Sequence, residues 1–371
     1  MNVLLLTTHL NSGGIGTYTV NLAKYLKRAG VGVVVSSSGG DLEEVLKQNS
    51  IQHISLDVKT KFEFGFKMWK ALPSLMRIVK DNKIDLVHAQ TRVTQVLGQL
   101  VDLSAAVPFV TTCHGFFEYR RLGRRLFPCW GRKVIAISKS VQRHLVEDFH
   151  LAGDRVAQVY TGIEIDRYSN LDAGAKDAEL GKRIGLSENA LLVGTIARLS
   201  PVKGNKYLIS AFERASARNT SMQLLIVGDG PEKDSLERQV RQAGISDKVF
   251  FTSGNDASLE RYFSLMDIFC LASVKEGLGL SLIEAMAAGR ACIASNIGGL
   301  TELIAQEKDG ILVPSEDPEA LSSAILRLTE DTGLRKKLGE AAREKALSGF
   351  SIESSAAKTI EVYKQVLGVR L

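Results

Sequence analysis

The chain has 371 residues, 45% hydrophobic and 24% charged, which is the balance of an ordinary globular protein at the length of about two domains. No apolar run approaches the roughly 18–20 residues a membrane span needs, and no basic segment precedes the first strand pattern, so neither a transmembrane helix nor a signal peptide is expected. The net charge of +6 is uneven: residues 1–170 carry 22 Lys+Arg against 14 Asp+Glu, the remainder 25 against 27, so the first half suits an anionic surface such as lipid or phosphate.

In chain order, β-rich runs at Val3–Thr7, Val31–Ser36, Leu86–His88, Phe109–Cys113, Val134–Ile137 and Val156–Tyr160 alternate with amphipathic segments such as Thr17–Arg28, Arg92–Leu103 and Ser138–Phe149. Ser138 is a good N-cap for the last of these. Thr161–Asn189 breaks the pattern; it is polar and reads as a linker with a lead-in helix. The alternation then restarts, with strands expected at Leu191–Ala197, Gln223–Val227, Val249–Phe251, Ile268–Ala272, Ala291–Ala294 and Ile311–Val313. Helices are expected at 204–216, 231–243, 257–266, 280–288, 317–328, 331–347 and 351–367. Such alternation builds parallel sheets with crossover helices. The expected architecture is α/β, with Rossmann-like domains at 1–165 and 166–350. Residues 351–371 form a last helix, apolar at Ile352, Ala356, Ile360, Tyr363 and Leu367, that crosses back to the first domain. Ligands of such sheets bind at the carboxyl ends of the strands, and two facing sheets make a cleft suited to joining two substrates.

Three stretches carry candidate chemistry. The first strand runs into NSGGIGT (Asn11–Thr17), where Gly13 and Gly14 open a helix in the way phosphate-binding loops do; it lacks the GxGxxG spacing of a dinucleotide site. ARLSPVKG (Ala197–Gly204) places Arg198 and Lys203 on a strand-end loop ahead of a helix, a pair suited to a diphosphate. KEGLGLSLIEAMAAG (Lys275–Gly289) holds Glu276 and Glu284 with seven residues between them. Gly277 and Gly279 disfavour helix near Glu276, so a helix beginning near Leu280 leaves Glu276 on a loop and Glu284 one turn in. The amides opening that helix suit an anion, and the acids suit hydroxyl groups. The spacing reads as a cradle for a nucleotide sugar. The four cysteines form no CxxC pair; three lie in or beside apolar stretches and are expected as buried thiols, which fits a reducing compartment, and a metal site is not expected.

In order and spacing, SGGIGTY, TTCHG (Thr111–Gly115), IAISKSV (Ile135–Val141), IARLSPVKG (Ile196–Gly204), LIVGDGP (Leu225–Pro231) and EGLGLSLIEAMAAG (Glu276–Gly289) resemble the retaining glycosyltransferases of family 4, with the GT-B fold, over nearly the whole chain. The resemblance implies transfer of a sugar from a nucleoside diphosphate donor to a hydroxyl of a glycan or lipid-linked acceptor in cell-surface polysaccharide or lipopolysaccharide synthesis. A UDP-sugar is the expected donor and GDP-mannose the alternative. It implies that Glu276 meets the sugar and Glu284 the ribose. Arg198 and Lys203 hold the leaving diphosphate, with backbone at Gly13, Gly14, Gly277, Leu278, Gly279, Leu280 and Ser281, and His114 lies near the reacting carbon. No cofactor and no metal are implied. The chain departs from the family pattern at Thr161-Gly162-Ile163-Glu164, Gly289-Arg290-Ala291-Cys292 and Thr301, at hinges and turns and not at the donor charges. A nucleotide-sugar epimerase, a soluble glycogen-type synthase and a silent donor-binding module stay open as alternatives. Donor base selection is expected from the loop Ser253–Asp256.

Two stretches mix bases with aromatics: KTKFEFGFKMWK (Lys59–Lys70) and FFEYRRLGRRLFPCWGRK (Phe116–Lys133). They suit an anionic membrane surface. The expectation is a cytoplasmic protein, peripheral on the inner face of the cell membrane, with no nucleic-acid partner.

Overall fold

A computed structural model of the chain describes all residues except 61–64, 118–123, 125, 126, 170, 172–175, 255–257, 370 and 371. The chain folds as two compact units, Met1–Ile163 with Ile352–Leu371, and Glu164–Ser351.

The first unit holds seven parallel strands: β1 (Asn2–Leu6), β2 (Gly32–Ser37), β3 (Gln52–Ser55), β4 (Leu86–Ala89), β5 (Phe109–Cys113), β6 (Lys133–Ala136) and β7 (Val156–Gln158), in the order β3-β2-β1-β4-β5-β6-β7. Strand order reverses where β1 lies beside β4, with Val3 opposite Leu86 and Leu6 opposite Ala89. A polar strand, β3, ends the sheet and lies outside the runs expected from sequence; QHIS has no apolar run to mark it, and only its pairing with β2 makes it a strand. Helix Phe66–Asp81, between β3 and β4, carries Pro73 in its interior and buries Met68, Ala71, Leu75, Ile78 and Val79. One face of the sheet packs on helix Gly14–Arg28 and on the last helix, Ile352–Leu367, through Ile352, Ala356, Val362 and Tyr363. The other packs on Phe66–Asp81 and Arg92–Ala105. Ser138 caps helix Lys139–Glu147 by accepting from the Val141 amide at 3.1 Å.

The second unit repeats the plan with β8 (Leu191–Ile196), β9 (Met222–Val227), β10 (Val249–Thr252), β11 (Ile268–Leu271), β12 (Ala291–Ser295) and β13 (Ile311–Val313), all parallel, in the order β10-β9-β8-β11-β12-β13. Its reversal falls between β8 and β11, where Ile268 pairs with Val193. These strands read as unbroken apolar runs because helices cover both faces. Helices Asn205–Arg218 and Pro318–Glu330 supply Leu208, Phe212, Leu321 and Ile325 to one core. Among the described residues no helix is long and apolar enough to cross a membrane.

Candidate active site

In the second unit, the segments after β8 and β11 flank the strand-order reversal, the position at which open parallel sheets bind ligands. After β8, the backbone on either side of Arg198 is pinned to the neighbouring loop: the Ala197 amide donates to the Val227 carbonyl at 3.0 Å, and the Leu199 amide to that of Asp229 at 2.9 Å. Gly228 makes this approach feasible. It sits at φ 141°, and a Cβ there would come within 2.0 Å of the Ala197 carbonyl oxygen. Arg198 itself is exposed and forms no ion pair among the described residues.

The chain then makes a short 3₁₀ turn, Pro201–Lys203. The Val202 carbonyl accepts from the amides of Val274 (2.8 Å) and Lys275 (3.4 Å), which brings Lys203 to the loop after β11. There Lys203 Nζ donates to Glu276 Oε2, and Ser273 Oγ donates to the same oxygen at 3.2 Å. Both partners of the ion pair are largely shielded, with side chains 22% and 14% exposed. Glu276 is therefore fixed before any ligand arrives.

Helix Leu280–Ala287 starts three residues after Gly277. Its N-cap, Gly279, has φ 99°, a left-handed conformation natural only to glycine, and a Cβ there would meet Leu300 Cδ2 at 2.6 Å. The amides of Leu282 and Ile283 turn back on the Gly279 carbonyl (3.0 and 3.2 Å), while those of Leu280 and Ser281 have no earlier helical carbonyl to bond. The Leu278 side chain is buried, so only its backbone is left to meet a ligand. Arg198, Lys203 and the open start of helix Leu280–Ala287 thus lie on the segments that follow the neighbouring strands β8 and β11, and a guanidinium, an ammonium and free helix amides are groups suited to a phosphate ester.

Glu284 lies one turn further in and is half-buried. Burial pushes its carboxyl up to about 7; Arg167 and Tyr168 draw it back down, and Glu260 raises it again. Arg167 is shared, since it also bonds Glu260 at 2.7 Å and approaches Glu164 at 4.0 Å. Hydrogen-bond donors brought to such a carboxyl favour its charged form.

In the first unit, Gly13 and Gly14 are exposed at the start of helix Gly14–Arg28, and Gly13 (φ 142°) is its N-cap. The loop already holds an acid: the Ser12 amide donates to Asp41 Oδ1 at 2.8 Å and its hydroxyl to Oδ2. His114 follows β5. Its Nε2 lies 2.8 Å from Gln90 Oε1, and Tyr18 meets its ring edge-on at 5.3 Å. Burial lowers its pKa to about 3, so it is neutral at pH 7.

Sequence reasoning did not find Ser273, Arg167, Tyr168 or Gln90. The first three lie at a strand end and in the polar linker, with no local pattern linking them to the acids. A signal for Gln90 did exist: His88 and Gln90 are polar residues at the end of a strand otherwise apolar, and both are buried. The basic, aromatic stretch Phe116–Lys133 is corrected in part. Arg124 is 4% exposed, lies over Phe117 (4.0 Å) and Trp130 (4.8 Å), and reaches Gln95 at 3.4 Å. Trp130 and Cys129 are buried with it, Arg132 bonds Asp102 at 3.0 Å, and Lys133 donates to the Asp154 carbonyl. Glu118, Tyr119, Arg120, Arg121 and Arg125 lie outside the described residues, as do Lys61, Phe62, Glu63 and Phe64 of the other stretch and Asn255 and Asp256 of the base-selection loop. All four cysteines are buried.

Two family profiles match the chain: "Glycosyltransferase Family 4" over residues 12–167 and "Glycosyl transferases group 1" over residues 177–345. An uncharacterized glycosyltransferase of Methanocaldococcus jannaschii is 27% identical over 369 residues, covering 95% of this chain and 94% of its own. A UDP-Gal:alpha-D-GlcNAc-diphosphoundecaprenol alpha-1,3-galactosyltransferase of Escherichia coli is 27% identical over 310 residues, covering 80% and 79%. Among solved structures, HepE of Anabaena in complex with UDP and glucose superposes with a TM-score of 0.85 at 23% identity, over 98% of this chain and 100% of that one. With two Rossmann-like units, the charged crevice and these matches in hand, the chain belongs to the glycosyltransferases of the family 4 type, with the GT-B fold.

Proposed function

We propose that the chain moves a sugar from a nucleoside diphosphate donor, a UDP-sugar, to a hydroxyl of a lipid-linked or glycan acceptor, with retention of anomeric configuration. The carrying observation is that Arg198 and Lys203 after β8, and Glu276 and the bare helix start after β11, flank one strand-order reversal. Arg198, Lys203 and the amides of Gly279, Leu280 and Ser281 hold the diphosphate and neutralise it as it leaves. Preorganised charge of this kind is commonly the largest contribution to such a step. Glu276 accepts from sugar hydroxyls and Glu284 from the ribose. His114 and the helix start at Gly13 and Gly14 are the first unit's contribution to the reaction. With two side-chain cations and helix amides on the leaving group, transfer proceeds without a bound metal. The UDP and glucose of the HepE crystal and the diphosphoundecaprenol acceptor named for the E. coli relative support the donor and acceptor classes.

The acceptor's class also motivates docking on an anionic membrane surface in polysaccharide or lipopolysaccharide synthesis. The surface for it is the first turn of helix Phe66–Asp81, where Phe66 (73% exposed) and Trp69 (51%) stand beside Lys67 and Lys70. An exposed aromatic pair beside lysines is the composition of an interfacial helix. Sedimentation with anionic vesicles checks this: wild type binds at low salt and Phe66→Ser/Trp69→Ser does not.

The test of the reaction is incubation of the enzyme with UDP-sugars and a lipid-linked acceptor extract, with product configuration read by NMR. An α-linked product from an α-linked donor, formed equally well in EDTA, is expected. An inverted product, or loss of activity in EDTA restored by a divalent cation, overturns the corresponding part.

A further inference from the structure

Resting on that reading of His114, we propose that Gln90 is a positioning residue for the reaction: its side-chain amide fixes His114 as the Nε2–H tautomer and so leaves the Nδ1 lone pair to accept from a substrate hydroxyl.

Gln90 is itself rigidly placed. It follows β4, its amide donates to the Leu6 carbonyl of β1 at 3.0 Å, and the next residue, Thr91, opens helix Arg92–Ala105 through a capping box with Thr94. Its side chain is 2% exposed. Oε1 stands 2.8 Å from His114 Nε2. A neutral imidazole has one donor and one acceptor nitrogen, so a carbonyl oxygen on Nε2 places the proton there and the lone pair on Nδ1. Tyr18, 3% exposed on helix Gly14–Arg28, packs edge-on against the ring at an interplanar angle of 71°. Among the described residues Nδ1 makes no hydrogen bond.

The surroundings keep the ring uncharged. Tyr18 has its pKa raised by burial, His88 on β4 is lowered to about 3, and the adjacent Cys113 is pushed up to about 12, so all are neutral at pH 7. Among the described residues, Arg124 acts on the neighbouring Cys113 thiol, drawing its pKa down against burial. The Nε2 nitrogen of Gln90 is buried with no protein partner among the described residues. Among the described residues, the side chain's hydrogen bond is the one that Oε1 makes to His114.

The experiment is nitrogen NMR on the full chain labelled at its six histidines, with His114 assigned by His114→Ala, in wild type, Gln90→Met and Gln90→Glu. Wild type is expected to show a pure Nε2–H tautomer at pH 7. Gln90→Met is expected to show a mixed tautomer, with kcat lowered about 10- to 100-fold, taking the range known for partners that orient metal-ligating histidines as the guide. Gln90→Glu is expected to keep the Nε2–H tautomer, with the midpoint of His114 raised by a pH unit or more and the acid limb of kcat raised with it. A pure Nδ1–H tautomer in wild type, or a tautomer unmoved by Gln90→Met, overturns the proposal. The two readings separate cleanly: if the tautomers behave as expected while His114→Ala retains full activity, the role of His114 in the reaction fails and Gln90's role in the reaction fails with it, while the fixing of the His114 tautomer by Gln90 stands.

Discussion

Replacing Glu284 by glutamine should make the protein more stable at pH 8 and leave it no more stable at pH 4. In the folded chain burial holds this carboxyl up to about 7, against 4.5 for the free group. The folded state therefore binds more protons than the unfolded state between those values. Stability falls as pH rises from 4.5 to 7 and stays at the lower level above. Taken in full, that difference is about 3 kcal/mol, and half-burial trims it to about 1–3 kcal/mol. Glutamine keeps the shape and removes the charge. Arg167 is not orphaned by the change, because Glu260 still bonds it at 2.7 Å. For a unit of this size the gain corresponds to a rise in Tm of roughly 2–10 °C. The assay is thermal unfolding of wild type and Glu284→Gln from pH 4 to 8. A gain that grows through pH 4.5–7 is expected, together with weaker UDP binding at pH 8, the usual cost of a site tuned for function. A gain independent of pH, or a loss at pH 8, refutes the reasoning.

Lys203→Ala should raise KM for the donor and lower kcat, and a double-mutant cycle with Glu276→Gln followed by donor binding should show coupling of about 0.5–3 kcal/mol, since one carboxylate oxygen takes both Lys203 and Ser273. Gly279→Ala should cost about 1–3 kcal/mol and weaken nucleotide binding, because φ 99° and the Leu300 contact at 2.6 Å both oppose a side chain; unfolding by urea reads the first and titration calorimetry the second. His88 and His114 should make the protein acid-labile. Both are held neutral in the fold to about pH 3, so the unfolded chain takes up protons first and stability drops as pH falls below about 6.5; His88→Gln should flatten that slope in pH-dependent unfolding.

The two sheets were legible because their strands are covered on both faces, so Leu191–Ile196 and Ile268–Leu271 stand out as apolar runs. Strand β3 was not, because Gln52–Ser55 carries polar side chains at a sheet edge and is a strand only by pairing with β2. Glycine and charge at strand ends made Arg198, Lys203 and the Glu276 loop readable, since the backbone there has few other reasons to be so built. What holds those residues was not readable. The backbone bonds from Val202 to Val274 and Lys275, and the approach of Arg167 and Tyr168 to Glu284, join segments far apart in sequence. Arg124 shows the reverse failure: composition assigns a guanidinium to the surface, and two aromatic rings take it inside.

The central claim is that the crevice after β8 and β11 binds a nucleoside diphosphate. The measurement that tests it most directly is the Tm of wild type and Lys203→Ala with UDP, GDP, ADP and their sugar conjugates. Ligand that binds only the folded state raises Tm by mass action, about 2.7 kcal/mol at a hundred times Kd. The account predicts a rise with UDP and UDP-sugars in wild type that disappears in Lys203→Ala. A wild type whose Tm none of these nucleotides moves, or a rise that Lys203→Ala preserves in full, would contradict it.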